Sequence, residues 1–375
     1  MNEIIRPDGR SGWERGRFRT LSFALLGLGL LAVGCGESGD YLSRVPDPAF
    51  ASSSDEVLGL EDAFEHRRSI PLDTSVIVGT VTYLDVDAQG RLLVTDHVSN
   101  KVFLFSSGGK HLRTLDAEPC HPGFNMRPIR AYFAPPGDIF LLNGGGPWGY
   151  WFTPDGACRE GMSDEFMPPR LLAPGEDGYL YGLYAADQYE IRRMDRRGRT
   201  LSAFGRHDAF RNIVLRIEGG GIVQTGDHRL YVAFPFSPYV YVFEEEGQFV
   251  ETLGWAPPYY RAVDKDLPMR SSRGQLAEAI RDLGQRHSMT YNLLLLEPSV
   301  LMVQHINPYR DEDEEVGIVL LTTDGRVLNE GAILTDHPFL AARNGLAYTS
   351  VQPEVDAAGY LPNPSIEVYR RSVSP

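Results

Sequence analysis

The chain of 375 residues is poor in cysteine, with three, and it lacks the short motifs of several enzyme classes. It has no Gly-x-Ser-x-Gly elbow, no His-Glu-x-x-His and no glycine-rich loop followed by Lys-Ser or Lys-Thr. These absences disfavour α/β-hydrolase esterases, zincin proteases and P-loop nucleotide-binding proteins. The uncharged apolar run at 21–33 has 13 residues. A membrane-spanning helix needs roughly 20.

Positive charge is also scarce. The chain has 36 lysines and arginines against 50 aspartates and glutamates, and its formal net charge is −14. The first 34 residues hold five of those arginines and three of the acids, so the remainder carries −16. A domain this acidic disfavours nucleic acid as a partner, because such binding depends on basic side chains that neutralise phosphates. It is also repelled by anionic lipid surfaces.

The start of the chain has the pattern of an export signal, with five arginines ahead of the apolar run. The sequence LAVGC at 31–35 resembles the lipobox of bacterial lipoproteins. That resemblance implies a signal peptide at 1–34 and a lipid on Cys35 that anchors the protein to a membrane of the bacterial cell envelope. Gly36 favours the periplasmic side of the outer membrane or the cell surface. An ordinary secreted protein and a signal anchor are the alternatives.

Residues 35–60 are rich in Ser, Asp, Gly and Pro. We expect them to form a flexible tether between the lipid and the folded domain.

A repeated pattern of short strands begins at 80–115. Four runs with apolar residues at alternate positions are separated there by turns that contain Gly, Asp or Asn, which is typical of an antiparallel meander. Similar units follow, and a four-stranded sheet repeated every 40–50 residues or so indicates a β-propeller. The turn before the outer strand of five units contains a glycine: Gly109, Gly156, Gly198, Gly247 and Gly325. We expect positive φ at these glycines.

Six units can be counted, and the sixth is one strand short. Its third strand, at 365–369, is followed by only six residues. The isolated strand at 63–72 can fill the missing place, since an unpaired edge would invite aggregation. We therefore predict an all-β, six-bladed β-propeller over 61–371, closed by an N-terminal strand. The outer strand of blade 5 is placed at 327–328.

Residues 257–287 form an insertion between blades 4 and 5. Its second half, 273–285, has an apolar stripe of Leu276, Ile280 and Leu283 at helical spacing. The helix is expected either to pack on the rim of the ring or to bind a partner.

Blade 1 resembles the NHL repeat, whose pattern is an Asp/Gly turn, a strand ending in Asp, and then Asn and a basic residue before the next strand. The matching residues are Asp87, Gly90, Asp96, Asn100 and Lys101. The match is partial in blades 3 and 4. Residues 60–371 as a whole resemble the bacterial six-bladed propeller lipoproteins related to that family. The resemblance implies this fold and a place at the cell surface, and it implies no single activity.

Cys120 and Cys158 are the only cysteines after Cys35. An even pair in an oxidising compartment permits one disulfide. The alternative is that the two positions lie on opposite faces of the ring, too far apart to bond.

His97, His305 and His337 map to the face of the ring where the second strand of each blade ends. Three histidines from neighbouring blades can hold zinc with an open position for water, and the resemblance to propeller lyases implies a metal there. The alternative is chance placement in loops.

Asp96 and Asn100 are calcium ligands if the chain resembles the paraoxonase and gluconolactonase propellers. Otherwise Asp96 caps backbone N–H groups in a turn. The acidic run 311–315 lacks the ligand spacing of a calcium loop and is expected to be a solvated loop. No cofactor is otherwise expected.

Two aromatic groups are candidate binding residues. Trp148, Tyr150 and Trp151 follow a glycine run and either form a platform for a glycan or peptide or pack between blades. Trp255, Tyr259 and Tyr260 adjoin the insertion and either form an interface or wedge the insertion onto the rim.

The features taken together favour a lipid-anchored binding or scaffold propeller that engages a protein, peptide or glycan through its channel-mouth loops. The alternative is a metal-dependent extracytoplasmic lyase or lactonase of the propeller type.

Overall fold

A computed structural model describes residues 57–123, 126–162, 166–185, 189–207, 219–257, 260–262, 285–306, 316–329, 332–336, 338–355, 359 and 361–372. The predicted lipidation site Cys35 lies outside these ranges, as does most of the tether. Within them, no helix is both long and apolar enough to cross a membrane.

The first described residues already belong to the fold. They form strand β1 (Val57–Leu58), a single helical turn α1 (Leu60–Ala63) and strand β2 (Phe64–Pro71). The C-terminal end of the predicted tether, 57–60, is thus in regular structure.

The first three blades follow in chain order. Blade 1 consists of β3 (Tyr83–Val86), β4 (Leu92–Asp96), β5 (Lys101–Phe105) and β6 (His111–Thr114). Blade 2 consists of β7 (Pro128–Ala134), β8 (Asp138–Asn143), β9 (Gly149–Phe152) and β10 (Cys158–Gly161). Blade 3 consists of β11 (Leu171–Pro174), β12 (Leu180–Ala185), β13 (Tyr189–Met194) and β14 (Thr200–His207).

The second half repeats the arrangement. Blade 4 consists of β15 (Gly221–Gln224), β16 (Leu230–Ala233), β17 (Tyr239–Phe243) and β18 (Phe249–Gly254). Blade 5 consists of β19 (Met289–Glu297), β20 (Val300–Ile306), β21 (Val316–Thr322) and β22 (Ala332–Thr335). Blade 6 contains β23 (Ala341–Arg343), β24 (Leu346–Val351) and β25 (Ser365–Arg371).

The N-terminal strand completes blade 6. That sheet has the order β2-β25-β24-β23, and β2 pairs antiparallel with β25 from Phe64 opposite Arg371 to Pro71 opposite Ser365. The outer strand of the last blade therefore comes from the beginning of the chain. The six-bladed, all-β architecture and its closing strand are confirmed.

Blade 5 differs from its prediction. Its outer strand is β22, and Val327, placed in that strand by the sequence, makes only an isolated bridge to Leu321. The predicted strand at 327–328 is reduced to this bridge and to a hydrogen bond from the Leu328 N–H to the Leu320 carbonyl at 2.9 Å, and an irregular segment follows before β22 pairs. β1 then adds to β22 in parallel, Val57 opposite Ala332, giving this sheet five strands.

Six apolar clusters hold the ring together, one between each pair of neighbouring blades. Blade 1 shows how one strand serves two of them. Leu92 and Val94 of β4 pack toward blade 6, while Leu93 between them packs toward blade 2. Successive side chains of a strand point to opposite faces. Because both faces of each blade are covered, the middle strands read as continuous apolar runs.

The turn glycines predicted from the repeat do adopt positive φ. The values are +83° at Gly109, +83° at Gly156, +80° at Gly198, +98° at Gly247 and +90° at Gly325. In each turn the glycine N–H donates to the carbonyl three residues earlier. A residue with a Cβ is strained in this conformation, which explains the recurrence of glycine.

A disulfide joins Cys120, in the connection from blade 1 to blade 2, to Cys158 at the start of β10. The two Cα atoms are 5.9 Å apart, within the range that a disulfide spans. The two positions therefore lie close together and not on opposite faces of the ring.

The insertion between blades 4 and 5 leaves and re-enters the ring at one point. The Arg261 N–H donates to the Ser288 hydroxyl at 3.0 Å, and the Ser288 N–H donates to the Arg261 carbonyl at 2.9 Å. The predicted helix lies outside the described residues.

Candidate functional site

A central channel of about 590 Å³ runs along the axis of the ring. Its wall is formed by the innermost strand of every blade (β3, β7, β11, β15, β19 and β23) and by the hairpins that follow those strands. We call the end of the ring that carries these hairpins the turn face, and the opposite end the loop face. The volume falls within the range of about 300–1,000 Å³ that is usual for small-molecule sites.

One side of the channel wall is mainly apolar. It comes from blades 3 to 5, whose innermost strands have the sequences LLAP, GIVQ and MTYNLLLLE. Leu172, Val223, Leu294 and Leu295 line the channel there, Gln224 and Asn292 are polar residues of the same strands, and Glu176 lines the mouth in the hairpin after β11. We call this side the apolar wall.

The other side carries ionisable groups and comes from blades 6, 1 and 2. Tyr83 and Asp85 of β3, Arg130 and Tyr132 of β7, and Arg343 of β23 all line the channel. We call these five residues the charged wall. The channel is thus divided lengthwise into an apolar side and a side that carries charge.

Asp85 is the carboxylate of the charged wall, and it bridges two blades. It accepts a hydrogen bond from the Phe133 N–H of blade 2 at 2.7 Å and one from the Val86 N–H at 2.8 Å. Burial raises the pKa of Asp85 to about 6, in spite of these hydrogen bonds and of the nearby Arg343 guanidinium. A carboxyl group with a pKa near neutrality inside a cavity is typical of a functional site.

Two tyrosines and an arginine pack beside Asp85. The rings of Tyr83 and Tyr132 are 5.3 Å apart, and the Arg130 guanidinium carbon lies 5.2 Å from the centre of the Tyr83 ring. Burial raises the pKa of both phenols, and the charge of Asp85 adds to that effect. The phenols therefore stay neutral and can donate or accept hydrogen bonds.

Arg343 ends β23 at the turn face, and its side chain is exposed to the channel mouth. Its positive charge acts to lower the pKa of Asp85. It makes no ion pair or hydrogen bond with any residue in the described part of the chain. Its charge is therefore available to a ligand.

Four other charges near the mouth form two ion pairs. Arg91 bonds to Asp87 at 2.6 Å, and Arg371 lies 3.2 Å from Glu297. These pairs are locally neutral, so the charged wall and the Glu176 carboxylate, which has no ion pair among the described residues, set the electrostatics of the channel.

His305, one of the predicted metal ligands, is buried at the loop end of β20. Its ring centre lies 5.5 Å from that of Trp255 and 5.9 Å from that of Tyr260, and burial lowers its pKa to about 3. Gly317 of the neighbouring strand lies under the ring, and a Cβ there would overlap it. This histidine packs as an apolar aromatic side chain.

His97 is exposed just after β4, also at the loop face. Its Nε2 lies 3.0 Å from the Ile129 carbonyl oxygen of blade 2. His337 lies outside the described residues. No group of three His, Cys, Asp or Glu side chains suited to a metal occurs in the ranges given above. A metal site that includes His337 stays a prediction.

The predicted aromatic platform in blade 2 is packed between blades. Tyr150 and Trp151 are 0% and 2% exposed, and Trp148 is partly buried against the same cluster as Trp151. The Trp151 indole N–H donates to the Arg196 carbonyl at 2.8 Å. Of the two interpretations, inter-blade packing describes these positions.

The second aromatic group, at the start of the insertion, is also packed inside the protein. Trp255 is fully buried, and Tyr260 packs edge-on against it with ring centres 5.0 Å apart. Both rings support the base of the insertion. Tyr259 lies outside the described residues.

Asp96 caps backbone N–H groups in the connection after β4, which is the alternative to a role as a calcium ligand. It is fully buried and accepts hydrogen bonds from the N–H groups of Gly79 and Val98, both at 2.8 Å, and from the Ser99 hydroxyl at 2.8 Å. Burial alone would raise the pKa of Asp96, but these hydrogen bonds outweigh it and hold the pKa below its ordinary value. Asn100 has φ +55°, a turn conformation. The acidic run 311–315 is not described.

The charged wall was not predicted. Its five residues belong to innermost strands that sequence periodicity does identify, but whether a polar residue there faces the axis or a neighbouring blade depends on the packing of the ring. The sequences of the strands did contain a signal for it. β3 (YLDV) and β7 (PIRAYFA) contain charged residues, whereas β11 (LLAP) is wholly apolar.

The fold and the channel define the class of the protein as a six-bladed β-propeller. No known protein-family profile matches the chain, and no curated protein sequence does. Solved structures do match. A member of the DUF4221 family from Bacteroides vulgatus is 10% identical, with a TM-score of 0.60 over 83% of this chain and 98% of that one.

A Bacteroides fragilis protein, described only provisionally as exported, is 12% identical, with a TM-score of 0.61 over 85% of this chain and 100% of that one. An inactive variant of virginiamycin B lyase from Staphylococcus aureus is 12% identical over 79% of this chain and 82% of that one. Its TM-score of 0.48 supports no inference. At these identities the first two matches show the shared propeller fold.

Proposed function

We propose that this protein is a lipid-anchored, extracytoplasmic binding propeller that holds an amphipathic ligand, or the end of a peptide, in its central channel. The observation that carries the proposal is the division of the channel into an apolar wall and a charged wall. A ligand with an apolar body and one polar end fits such a cavity, because each part meets a surface of its own kind.

The apolar wall supplies the affinity in this account. Removing about 200 Å² of ligand hydrocarbon from water contributes about 5 kcal/mol at 25 cal/mol per Å², before the cost of immobilising the ligand. The charged wall then selects the polar end. Since the ring is closed by pairing of β2 with β25, the cavity is held in shape before the ligand arrives.

Three observations support the proposed extracytoplasmic, lipid-anchored location. The sequence at 31–35 resembles a lipobox, and the Cys120–Cys158 disulfide is typical of an oxidising compartment. One of the structural neighbours is described as exported. Because the domain is acidic, attachment to a membrane depends on the lipid at Cys35 and not on its surface charge.

The test uses decan-1-ol, an uncharged probe of the apolar wall. Titration calorimetry with the purified protein should show saturable binding at one site. Val223→Trp, which fills the channel from β15, should abolish it. Val98→Trp is the matched control, since Val98 is 72% exposed at the loop face, and it should bind as the unmodified chain does. Equal binding by the two variants, or no binding by the unmodified chain, would refute the proposal.

A further inference from the structure

The charges on the channel wall suggest what the polar end of the ligand is. Arg91 and Arg371 are neutralised by Asp87 and Glu297. Arg343 has no such partner among the described residues, although it is placed where the channel opens. An arginine kept at a cavity mouth without a carboxylate partner is well suited to bind an anion.

The neighbours of Arg343 favour an anion over a cation. Arg130 adds a second positive charge to the same wall, above the Tyr83 ring. The single carboxyl group there, Asp85, accepts backbone hydrogen bonds and has a pKa of about 6, so that it is partly protonated near neutral pH. A partly neutral acid attracts a cation weakly, and in its protonated form it can donate a hydrogen bond to an anion.

The position of the apolar wall restricts the anion further. Leu172, Val223 and Leu294 lie along the same channel, on blades 3, 4 and 5, and blade 5 adjoins the blade that carries Arg343. An anion bound at the mouth therefore needs an apolar group attached to it that extends into the channel. The planar guanidinium of arginine pairs with a carboxylate through two parallel hydrogen bonds.

Resting on the proposed function, we infer that the ligand is a carboxylate with an apolar body, its carboxylate bound by Arg343 and its body against the apolar wall. Two sources share this chemistry: a free aliphatic acid, and the C-terminus of a peptide that ends in an apolar residue.

The experiment compares decanoate with decan-1-ol by titration calorimetry, below the critical micelle concentration of decanoate and below the solubility limit of decan-1-ol. The unmodified protein should bind decanoate at least tenfold more tightly than decan-1-ol. In Arg343→Gln this preference should disappear, while the affinity for decan-1-ol stays within twofold. Arg197→Gln is the matched control, because Arg197 is exposed in an outer hairpin, and it should keep the preference.

A second arm distinguishes the two sources. The tripeptide Ala-Ala-Leu is compared with its C-terminal amide. Tighter binding of the free acid than of the amide, lost in Arg343→Gln, supports a peptide C-terminus, and binding of decanoate alone supports an aliphatic acid.

The experiments distinguish a failure of the carboxylate assignment from a failure of the binding channel. If decan-1-ol binds but Arg343→Gln leaves the affinities for decanoate and the tripeptide unchanged, the assignment of the carboxylate is overturned and the binding channel stands. If none of the probes binds, the channel itself is not the ligand site.

Discussion

Replacing Asp85 by Asn should stabilise the protein at neutral and alkaline pH. The pKa of this carboxyl group is about 6 in the folded state against an ordinary value of 3.8, a difference of about two units, because the charged form is poorly solvated. At about 1.4 kcal/mol per unit, the ionised group costs the fold up to about 3 kcal/mol. Asn keeps an oxygen for the Phe133 N–H and carries no charge, but its amide nitrogen cannot accept from the Val86 N–H, and the loss of that hydrogen bond offsets about 1 kcal/mol of the gain at every pH.

The sign of the pH dependence follows from proton linkage. Between pH 3.8 and about 6 the folded state of the unmodified protein holds a proton on Asp85 that the unfolded state releases. Its free energy of unfolding therefore falls as pH rises through this window. The increase in the free energy of unfolding caused by Asp85→Asn should be smallest at pH 4 and should grow by about 3 kcal/mol by pH 8.

Urea unfolding followed by tryptophan fluorescence at several pH values between 4 and 8 measures this difference. Asp96→Asn is the control with the opposite sign, since hydrogen bonds from Gly79, Val98 and Ser99 hold the pKa of that carboxyl low. Asp96→Asn should lower the free energy of unfolding by about 2 kcal/mol at pH 7 and by less in acid. A stability gain of Asp85→Asn that is the same at every pH would refute the reasoning.

Three further predictions concern the ring. Replacing Cys120 and Cys158 by Ala opens a loop of 38 residues and should lower the free energy of unfolding by about 4 kcal/mol; unchanged stability under oxidising conditions would contradict this. Phe64→Ala removes a side chain of the closing strand that is 1% exposed and should cost about 3–5 kcal/mol in urea unfolding, so a loss below 1 kcal/mol would argue against closure by this strand. Gly317→Ala should cost about 1–3 kcal/mol through overlap with the His305 ring. His305→Ala in the same chain should recover part of that loss, and strict additivity in a double-mutant cycle would contradict the overlap.

Much of the fold was predictable because its determinants are local. The turn before the outer strand in blades 1 to 5 has a glycine where positive φ is needed, although Asn100, His228 and Asn344 adopt positive φ in other turns. The alternation of apolar residues marks the strands between the turns. The count of strands then required a partner for β25, and β2 was available. The pairing of β2 with β25 was the one long-range contact that had to be inferred.

Blade 5 shows a feature that apolar periodicity does not predict. The run after Gly325 contains Val327 and Leu328, so it has the pattern of an outer strand, and yet Ala332–Thr335 pairs instead. Both segments contact β21, Val327 opposite Leu321 and 333–335 opposite 316–318, but only the second forms a continuous ladder. Which segment extends the ladder depends on tertiary contacts that periodicity does not encode.

The channel was less predictable than the fold. Conspicuous residue types, histidines and tryptophans, were the candidates from the sequence, and the described ones among them pack between blades or contact backbone carbonyl groups. Arg343 and Asp85 have no motif around them, and their importance comes from the closure of six strands around one axis. A site formed by single residues from separate blades leaves no local pattern.

The central claim is that the channel holds an apolar body along blades 3 to 5 with its carboxylate at Arg343. A crystal structure of the protein soaked with 10-bromodecanoate, measured at the bromine absorption edge, tests it directly. The account predicts one anomalous peak inside the channel, beside Val223 and Leu294, with the carboxylate at the Arg343 guanidinium. A peak at the loop face near His97, or on the outer surface with the channel empty, would contradict it.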